Sequence, residues 1–328
     1  QKSVMFGQVT LGNDNKVFVT YEKLGSGFFT DKQIFVAGYN VDGTPFSPET
    51  LLMSTQTFQS TYIHSAISDG MGGGYVYIWH SGIESAFNVY VFHFDENGVP
   101  TIDATGTPVH SNDPENYYMS AYATVDPLSH DLIIAYEQTD RETQYECKLY
   151  MNRITSNGER LWDDGKLIID NGTIPCGGIR VDAFEYGDGF SVIFHRGISI
   201  TGGSQSTVEA IGYKDKGVSI WETQLCSSTY NKTGDECSTG FHGGQNIIAW
   251  VNSTDAVTGG GPGGLCGQNI GQNGEMGEVT PPTPPVPCYP PTNCGGEFTY
   301  SNGMFGILLS WDAPETTPLY YNRYINEF

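Results

Sequence analysis

One short pattern recurs five times along the first 280 residues and constrains the fold more than any other feature of the chain. Each copy is a strand-like stretch that ends in a polar turn closed by glycine. Asn-Gly and Asp-Gly steps supply the positive φ angles that tight hairpins need, so each copy predicts a β-hairpin. Successive turn glycines are 55, 60, 59 and 57 residues apart, and they are Gly43, Gly98, Gly158, Gly217 and Gly274.

A second landmark keeps the same period. An aromatic residue ends a strand-like run 19 to 24 residues before each turn glycine. Because a residue that recurs in every repeat serves the fold rather than a single site, these side chains are predicted to belong to the core. They are Tyr21, Trp79, Tyr136, Phe194 and Trp250.

Each repeat has room for four short strands, and no segment shows a sustained 3.6-residue apolar period with helix caps. Units of about 45 to 60 residues with four strands each are typical of propeller blades, which pack around a common axis. The sequence therefore predicts an all-β, five-bladed β-propeller over residues 1–279. Its four-stranded blades are expected at about 1–57, 58–112, 113–172, 173–232 and 233–279. A β-sandwich or two stacked sheets is the alternative.

Composition excludes several classes of function. The chain has 328 residues and a formal net charge of −22, with only 16% charged residues. Nucleic acids and anionic lipids need a basic surface, so neither is an expected partner. No apolar run reaches the roughly 18 residues of a membrane span, and 38% hydrophobic residues are enough to form a core.

The composition changes after the repeats. Residues 280–291 contain seven prolines, which predicts an extended, semi-rigid linker. The strand-like stretch that ends at Trp311, the following Pro314 and the alternating tyrosines of 320–324 are similar to the opening of a fibronectin type III domain. Such a domain needs roughly 90 to 100 residues. Residues 292–328 are therefore expected to be a short, incomplete fibronectin type III-like β segment, either truncated from a longer parent chain or leaning on the propeller.

Glycine-rich turns extend the comparison to a known group of proteins. The Asp-Gly-Met-Gly-Gly-Gly turn that begins at Asp69 precedes a strand ending in Trp79, and Asn157-Gly is followed by Leu-Trp162. These features resemble the repeats of secreted β-propeller proteins from Bacteroidetes, over about residues 3–280. The fifth repeat departs from the pattern because it lacks the Asp-Gly turn. The resemblance implies a secreted, cell-surface or periplasmic protein with its signal peptide removed.

Seven cysteines are too few to be a disulfide scaffold in a chain of this length. Cys226 and Cys237 flank a turn-rich stretch, so a disulfide between them is a candidate. Cys147 lies on an alternating strand and is expected to be a buried free thiol. No Cys or His pair has zinc-ligand spacing, and no calcium-loop or phosphate-binding motif occurs, so no metal or cofactor is expected.

The residue after each repeated aromatic is titratable in four repeats. Glu22, His80, Glu137 and His195 form a polar half-ring that could serve as a metal or acid–base site near the mouth of the channel. The alternative is that a strand end next to a loop tolerates any polar residue.

Five-bladed propellers include glycoside hydrolases that use two or three carboxylates on the innermost strands. Asp182 and Glu185, on the first strand of the fourth repeat, are the candidates for such a catalytic site. No complementary acid is evident on the first strands of the other repeats, which makes hydrolysis the alternative function.

Aromatic residues are frequent in the irregular connections. Flat rings beside amide and hydroxyl groups suit stacking on sugar rings, and they suit protein interfaces equally well. The ligand-binding candidates are Phe28, Phe29, Phe87, Tyr117, Tyr118, Tyr145, Arg141, Arg180 and Tyr230.

The sequence therefore predicts a non-enzymatic protein, secreted or on the cell surface, that binds a glycan or a surface protein through aromatic loops, without membrane insertion. Glycoside hydrolysis through Asp182 and Glu185 is one alternative. A purely structural spacer within a larger surface protein is the other.

Overall fold

The computed structural model describes residues 3–24, 32–54, 64–81, 87–111, 113, 115–142, 147–172, 174, 176–197, 206–253, 264–277, 292–301 and 304–312. These residues form strands and turns and contain no helix, so the predicted all-β class is confirmed. The chain divides into two units, Gln1–Pro281 and Pro282–Phe328.

The first unit contains five antiparallel sheets, and in each sheet consecutive strands pair with one another. Sheet 1 comprises β1 (Ser3–Leu11), β2 (Lys16–Leu24), β3 (Lys32–Asn40) and β4 (Pro45–Ser54). Sheet 2 comprises β5 (Ser65–Ser68), β6 (Gly74–Ser81), β7 (Phe87–Phe94) and β8 (Thr107–Pro108). Sheet 3 comprises β9 (Asn116–Val125), β10 (Leu132–Asp140), β11 (Cys147–Ile154) and β12 (Lys166–Asp170).

Sheet 4 comprises β13 (Cys176–Ala183), β14 (Phe190–Arg196), β15 (Ser206–Tyr213) and β16 (Ser219–Ser228). Sheet 5 has three strands among the described residues, β17 (Asn231–Ser238), β18 (Gln245–Ser253) and β19 (Gly264–Gly271). The predicted four-stranded sheets are thus confirmed for the first four repeats.

All five repeated turn glycines have positive φ angles, between 68° and 85°. Each closes the turn after the third strand of its sheet, where its N–H donates to the carbonyl oxygen three residues earlier. A side chain at such a φ would be strained, so glycine is required there. The repeat period seen in the sequence is therefore the period of the sheets.

An apolar core lies between each pair of consecutive sheets. The first strands of neighbouring sheets also contact one another, from β1 with β5 to β13 with β17. This arrangement buries both faces of sheets 2, 3 and 4. Core residues include Phe18 and Phe92 between sheets 1 and 2, Tyr75 and Leu132 between 2 and 3, Met151 and Val192 between 3 and 4, and Val208 and Trp250 between 4 and 5.

The outward faces of the first and last sheets are more exposed to solvent than the faces between sheets. On sheet 1, Val9 and Leu11 are 65% and 70% exposed, and on sheet 5, Ile247 and Leu265 are 51% and 80% exposed. Closing the five sheets into a ring would bury both of these faces.

The cysteine pairing differs from the prediction. Cys147 on β11 forms a disulfide with Cys176 on β13, so it is not a free thiol. Cys226 and Cys237 are both free. They do not pair because Cys226 packs on the core between sheets 4 and 5, whereas Cys237 is exposed and lies opposite Ala249, on the other face of sheet 5.

Loss of the Cys147–Cys176 disulfide is expected to destabilise the first unit. Its two cysteines are 29 residues apart, and a crosslink of that span contributes about 3 to 4 kcal/mol through the unfolded state. Urea unfolding of the double variant Cys147→Ala/Cys176→Ala measures this loss. Cys237→Ser, at an exposed free thiol, is the control, and equal midpoints for the two variants would contradict the prediction.

The second unit is described as one antiparallel hairpin of β20 (Thr292–Ser301) and β21 (Met304–Asp312). The predicted proline-rich linker at 280–291 lies outside the described residues. The fibronectin type III-like assignment of 292–328 remains a prediction.

Candidate functional site

A backbone irregularity recurs at one level of the first strands. In β1, β9, β13 and β17 the pairing with the second strand shifts register, at Met5/Gln8, Met119/Tyr122, Gly177/Arg180 and Thr233/Cys237. Phe6, Ser120 and Gly178 have positive φ angles within these bulges. Each bulge lies opposite one of the repeated aromatics. Bulges are frequent beside active sites, because they change the direction in which a side chain points.

The predicted polar half-ring lies at this level. Glu22, Glu137 and His195 pair with Met5, Met119 and Gly177, the last residues before the shift in each first strand. For His80, the described part of the chain includes the backbone of β6 but not the side chain. The other three side chains separate into two clusters, one around Glu22 and one that contains both Glu137 and His195.

The first cluster, Glu22–Lys32–His64, is fully buried between sheets 1 and 2. Lys32 Nζ lies 2.9 Å from Glu22 Oε2, and His64 Nδ1 lies 3.0 Å from Glu22 Oε1. The other ring nitrogen of His64 is 2.9 Å from the Thr20 hydroxyl. Burial raises the pKa of Glu22, but hydrogen bonds from His64 and Lys32 outweigh it and leave the pKa lowered. Glu22 therefore neutralises a buried lysine, which is a structural role.

The second cluster joins sheets 3, 4 and 5. His195 Nδ1 lies 2.8 Å from Oε1 of Glu236 on β17, and Glu236 is only 1% exposed. Its second carboxyl oxygen, Oε2, has no hydrogen-bond partner among the described residues. A Cβ at Gly178 would come within 1.4 Å of that oxygen, so the bulge in β13 needs glycine to admit the carboxyl group.

Glu137 faces His195 from sheet 3. Burial raises the pKa of Glu137, while hydrogen bonds from Ser120 and Thr139 and the charge of His195 partly oppose that rise. A carboxyl group that holds its proton to higher pH than usual can act as a general acid. Glu137, His195 and Glu236 thus form one cluster of titratable side chains, which we call the relay.

A cavity of about 270 Å³ lies between sheets 2 and 3, and none of the three relay residues lines it. Ser120 lines this cavity and also hydrogen-bonds Glu137, so it links the two. The walls combine aromatic rings with hydroxyl groups, the combination that binds a sugar ring. The lining residues are Ser65, Tyr77, Ile78, Trp79, Ser120, Ala121 and Tyr122.

The predicted carboxylates Asp182 and Glu185 connect sheet 4 to sheet 5. Asp182 Oδ2 accepts a 2.8 Å hydrogen bond from the Asn246 amide, and Glu185 Oε2 accepts a 3.0 Å bond from the Gly244 N–H. Burial raises the pKa of Asp182, against hydrogen bonds from Ser238 and Asn246. The charge of Arg180 also opposes that rise, and its guanidinium lies 3.8 Å from the centroid of the Tyr122 ring at the cavity wall.

The predicted aromatic ligand set is only partly assembled. Phe87 and Tyr117 pack edge to face at 5.1 Å, and Tyr117 and Arg141 line a second cavity of about 630 Å³. Tyr230 is 48% exposed. The prediction that Tyr118 is a ligand-binding residue is corrected, because its side chain is 1% exposed. It stacks on His110 within the core between sheets 2 and 3. Phe28, Phe29 and Tyr145 lie outside the described residues.

Glu236 is the residue that sequence reasoning missed. It lies in the stretch Thr-Gly-Asp-Glu-Cys, which has the composition of a turn but forms part of β17. His195 at the half-ring position was the available signal, because the first strand of the next sheet is the element closest to a half-buried histidine there.

Neither a metal-binding cluster nor a membrane-spanning helix is found in the part of the chain that the structure describes. No group of three or more His, Cys, Asp or Glu side chains there could hold a metal ion. No helix long and apolar enough to cross a membrane is found among those residues.

No protein-family model matches the sequence, and no curated protein is similar to it. Solved structures do match. The polysaccharide lyase Uly1 is 10% identical with a TM-score of 0.45, and the match covers 77% of this chain and 56% of that one. The Hadza microbial sialidase Hz136 is 11% identical with a TM-score of 0.47, covering 84% and 59%. The α-L-arabinofuranosidase Arb93A of Fusarium graminearum is 10% identical with a TM-score of 0.45, covering 81% and 80%.

The expectation of a non-enzymatic binding protein is wrong by this comparison, since the similar structures are mostly carbohydrate-active enzymes. The chain spans little more than half of the lyase and the sialidase. At these identities and TM-scores, no substrate, mechanism or site residue carries over from those proteins to this chain.

Proposed function

We propose that this chain is a secreted glycoside hydrolase whose catalytic centre is the relay of Glu137, His195 and Glu236. The observation that carries the proposal is Glu137, a carboxyl group whose pKa burial raises, which interacts with His195 of the His195–Glu236 pair and shares Ser120 with the wall of an aromatic cavity. Two carboxyl groups with different environments are what glycoside hydrolysis needs.

In this mechanism the cavity holds one sugar ring against Tyr77, Trp79 and Tyr122. Glu137 donates its proton to the glycosidic oxygen as the bond to the anomeric carbon breaks. Glu236, held by His195, takes a proton from the water whose oxygen adds to that carbon. Oε1 of Glu236 is bound to the histidine, so Oε2, a buried atom with no hydrogen-bond partner among the described residues, is the base atom in this proposal.

The architecture proposed for this enzyme is a five-bladed β-propeller. Its support is the series of five sheets with a core between each consecutive pair and with first strands in contact. In a propeller, first strands surround the axis, so residues at the bulge level from sheets 3, 4 and 5 converge there. The disulfide between sheets 3 and 4 supports secretion, since disulfides persist in oxidising compartments.

Asp182 is a second candidate for the acid, because burial raises its pKa as well. Its carboxylate is bound to the Asn246 and Ser238 side chains, which leaves less of it available to substrate. Glu185 would be its partner in that alternative. The relay places Glu137 and His195 on second strands and Glu236 on a first strand, whereas Asp182 lies on a first strand. Mutation separates the two assignments.

Release of reducing ends from a panel of neutral and acidic polysaccharides tests the proposed function. We expect the unmodified chain to cleave at least one polymer and Glu236→Gln to lose about 100-fold or more in rate, the low end for a positioned acid–base group. Glu96→Gln, at an exposed turn, is the matched control. Cleavage that survives Glu236→Gln but is lost in Asp182→Asn would transfer the site to Asp182, and no cleavage of any polymer would overturn the proposal.

A further inference from the structure

A pair of thiols packs on the core between sheets 4 and 5, beside Lys232, whose charge also interacts with Glu236 of the relay. We propose that Cys226 and Cys266 are a redox-active pair that closes into a reversible disulfide when a small disulfide oxidant is present. The pair would be a second covalent link between neighbouring sheets, beside the existing Cys147–Cys176 bond between sheets 3 and 4.

Strand register places both thiols on the same interface. Cys226 on β16 pairs with Val208, and Cys266 on β19 pairs with Trp250. Val208 and Trp250 are both members of the core between sheets 4 and 5, and each cysteine packs against that core. Since paired residues on adjacent strands point to the same face, the two cysteines approach the interface from its opposite sides.

One buried lysine connects them. Lys232 on β17 is 3% exposed, and its ammonium donates to the Ser228 hydroxyl at 2.6 Å and to the Tyr230 carbonyl at 3.1 Å. Burial lowers the pKa of Lys232, while the nearby Cys226 and Cys266 thiols oppose that change, with Cys226 in hydrogen-bond contact. Both sulfurs therefore lie close to the same ammonium group.

A polar contact also holds the second thiol. The Asn252 side-chain amide lies 3.1 Å from Cys266 Sγ. The attacking species in thiol–disulfide exchange is a thiolate, and a cation beside it compensates its charge. The interface between sheets 4 and 5 thus contains two thiols, one ammonium group and one amide donor. Cysteines that only fill space in a core would not need these polar neighbours.

The chemistry balances with an external disulfide such as oxidised glutathione. The Cys226 thiolate attacks one sulfur of the oxidant, which forms a mixed disulfide and releases one glutathione thiolate. The Cys266 thiolate then attacks Cys226 Sγ and releases the second glutathione. The protein loses two electrons and two protons, the oxidant becomes two thiols, and an excess of reduced glutathione reverses both steps.

Peptide mapping of the full chain tests the proposal. The protein is equilibrated in glutathione buffers from fully reduced to fully oxidised, quenched in acid, alkylated and digested. We expect a peptide linked through Cys226 and Cys266 to dominate in the oxidised buffers, and its amount to fall at least 10-fold in the reduced ones. The exposed Cys237 serves as an internal reference for unspecific oxidation.

Variants sharpen the result. Cys237→Ser should leave the Cys226–Cys266 peptide unchanged, whereas Cys226→Ser should leave Cys266 as a free or glutathionylated thiol. Independent glutathione adducts on Cys226 and Cys266 in the unmodified chain, a crosslink from either one to Cys237, or full alkylation of both in every buffer would overturn the proposal.

Discussion

Glu137→Gln should lower the turnover rate of the cleaved glycan by two to four orders of magnitude, the range expected when a positioned general acid is removed. Glutamine fills the same space and can still accept a hydrogen bond from Ser120, but it has no proton to give to the glycosidic oxygen. Because the binding cavity is untouched, the Michaelis constant should change little, so kcat and kcat/KM should fall together. Initial rates over a range of substrate concentrations measure both quantities.

The pH profile separates catalysis from a structural effect of the same substitution. A general acid works while protonated, so activity should fall as pH rises through the pKa of Glu137. Burial raises that pKa, so the fall should occur at higher pH than for an ordinary glutamate. The residual activity of Glu137→Gln should lack this alkaline limb. Glu159→Gln, at an exposed turn, should keep both the rate and the limb. An unchanged limb in Glu137→Gln would assign the proton to another group.

The fold was largely predictable because the backbone conformation of each hairpin turn restricts which residue can occupy it. A turn that needs a positive φ favours glycine, so the five repeated glycines marked the sheets without any knowledge of packing. Of the five repeated aromatics expected in the core, Tyr136, Phe194 and Trp250 are buried, whereas Tyr21 and Trp79 are half-buried. Their position relative to the bulges could not be predicted. They lie opposite the first-strand bulges, and a bulge depends on how two distant strands pair rather than on either strand alone.

The site was only half predictable for a related reason. Glu137 and His195 stand at a repeated position, so periodicity singled them out. Glu236 lies on β17, whose sequence Asn-Lys-Thr-Gly-Asp-Glu-Cys-Ser has poor strand propensity, and pairing with β18 determines its conformation. The disulfide prediction was wrong for a similar reason. Closeness in sequence suggested that Cys226 pairs with Cys237, but the face of the sheet on which each cysteine lies decides its partner.

Lys32→Met should destabilise the first unit strongly, costing about 3 to 5 kcal/mol in free energy of unfolding. Lys32 and Glu22 are both 0% exposed, and the ammonium of Lys32 also lies 5.9 Å from the Phe6 ring at the first bulge. Methionine keeps most of the volume but leaves the Glu22 carboxylate buried without its cation, with His64 as the remaining donor. Chemical denaturation at pH 7 measures the loss.

Two further measurements identify the unpaired charge as the cause. The lowered pKa of Glu22 means that its stabilising contribution is present above the unfolded pKa and is lost as pH falls through the folded pKa. Without Lys32, protonation relieves the buried charge, so the gap between variant and unmodified chain should narrow as pH decreases. Glu22→Gln combined with Lys32→Met should recover part of the loss at pH 7 for the same reason. Lys214→Met breaks the exposed pair with Asp188 and should cost no more than about 1 kcal/mol. A deficit in Lys32→Met that is equal at all pH values would indicate lost packing instead of an unpaired carboxylate.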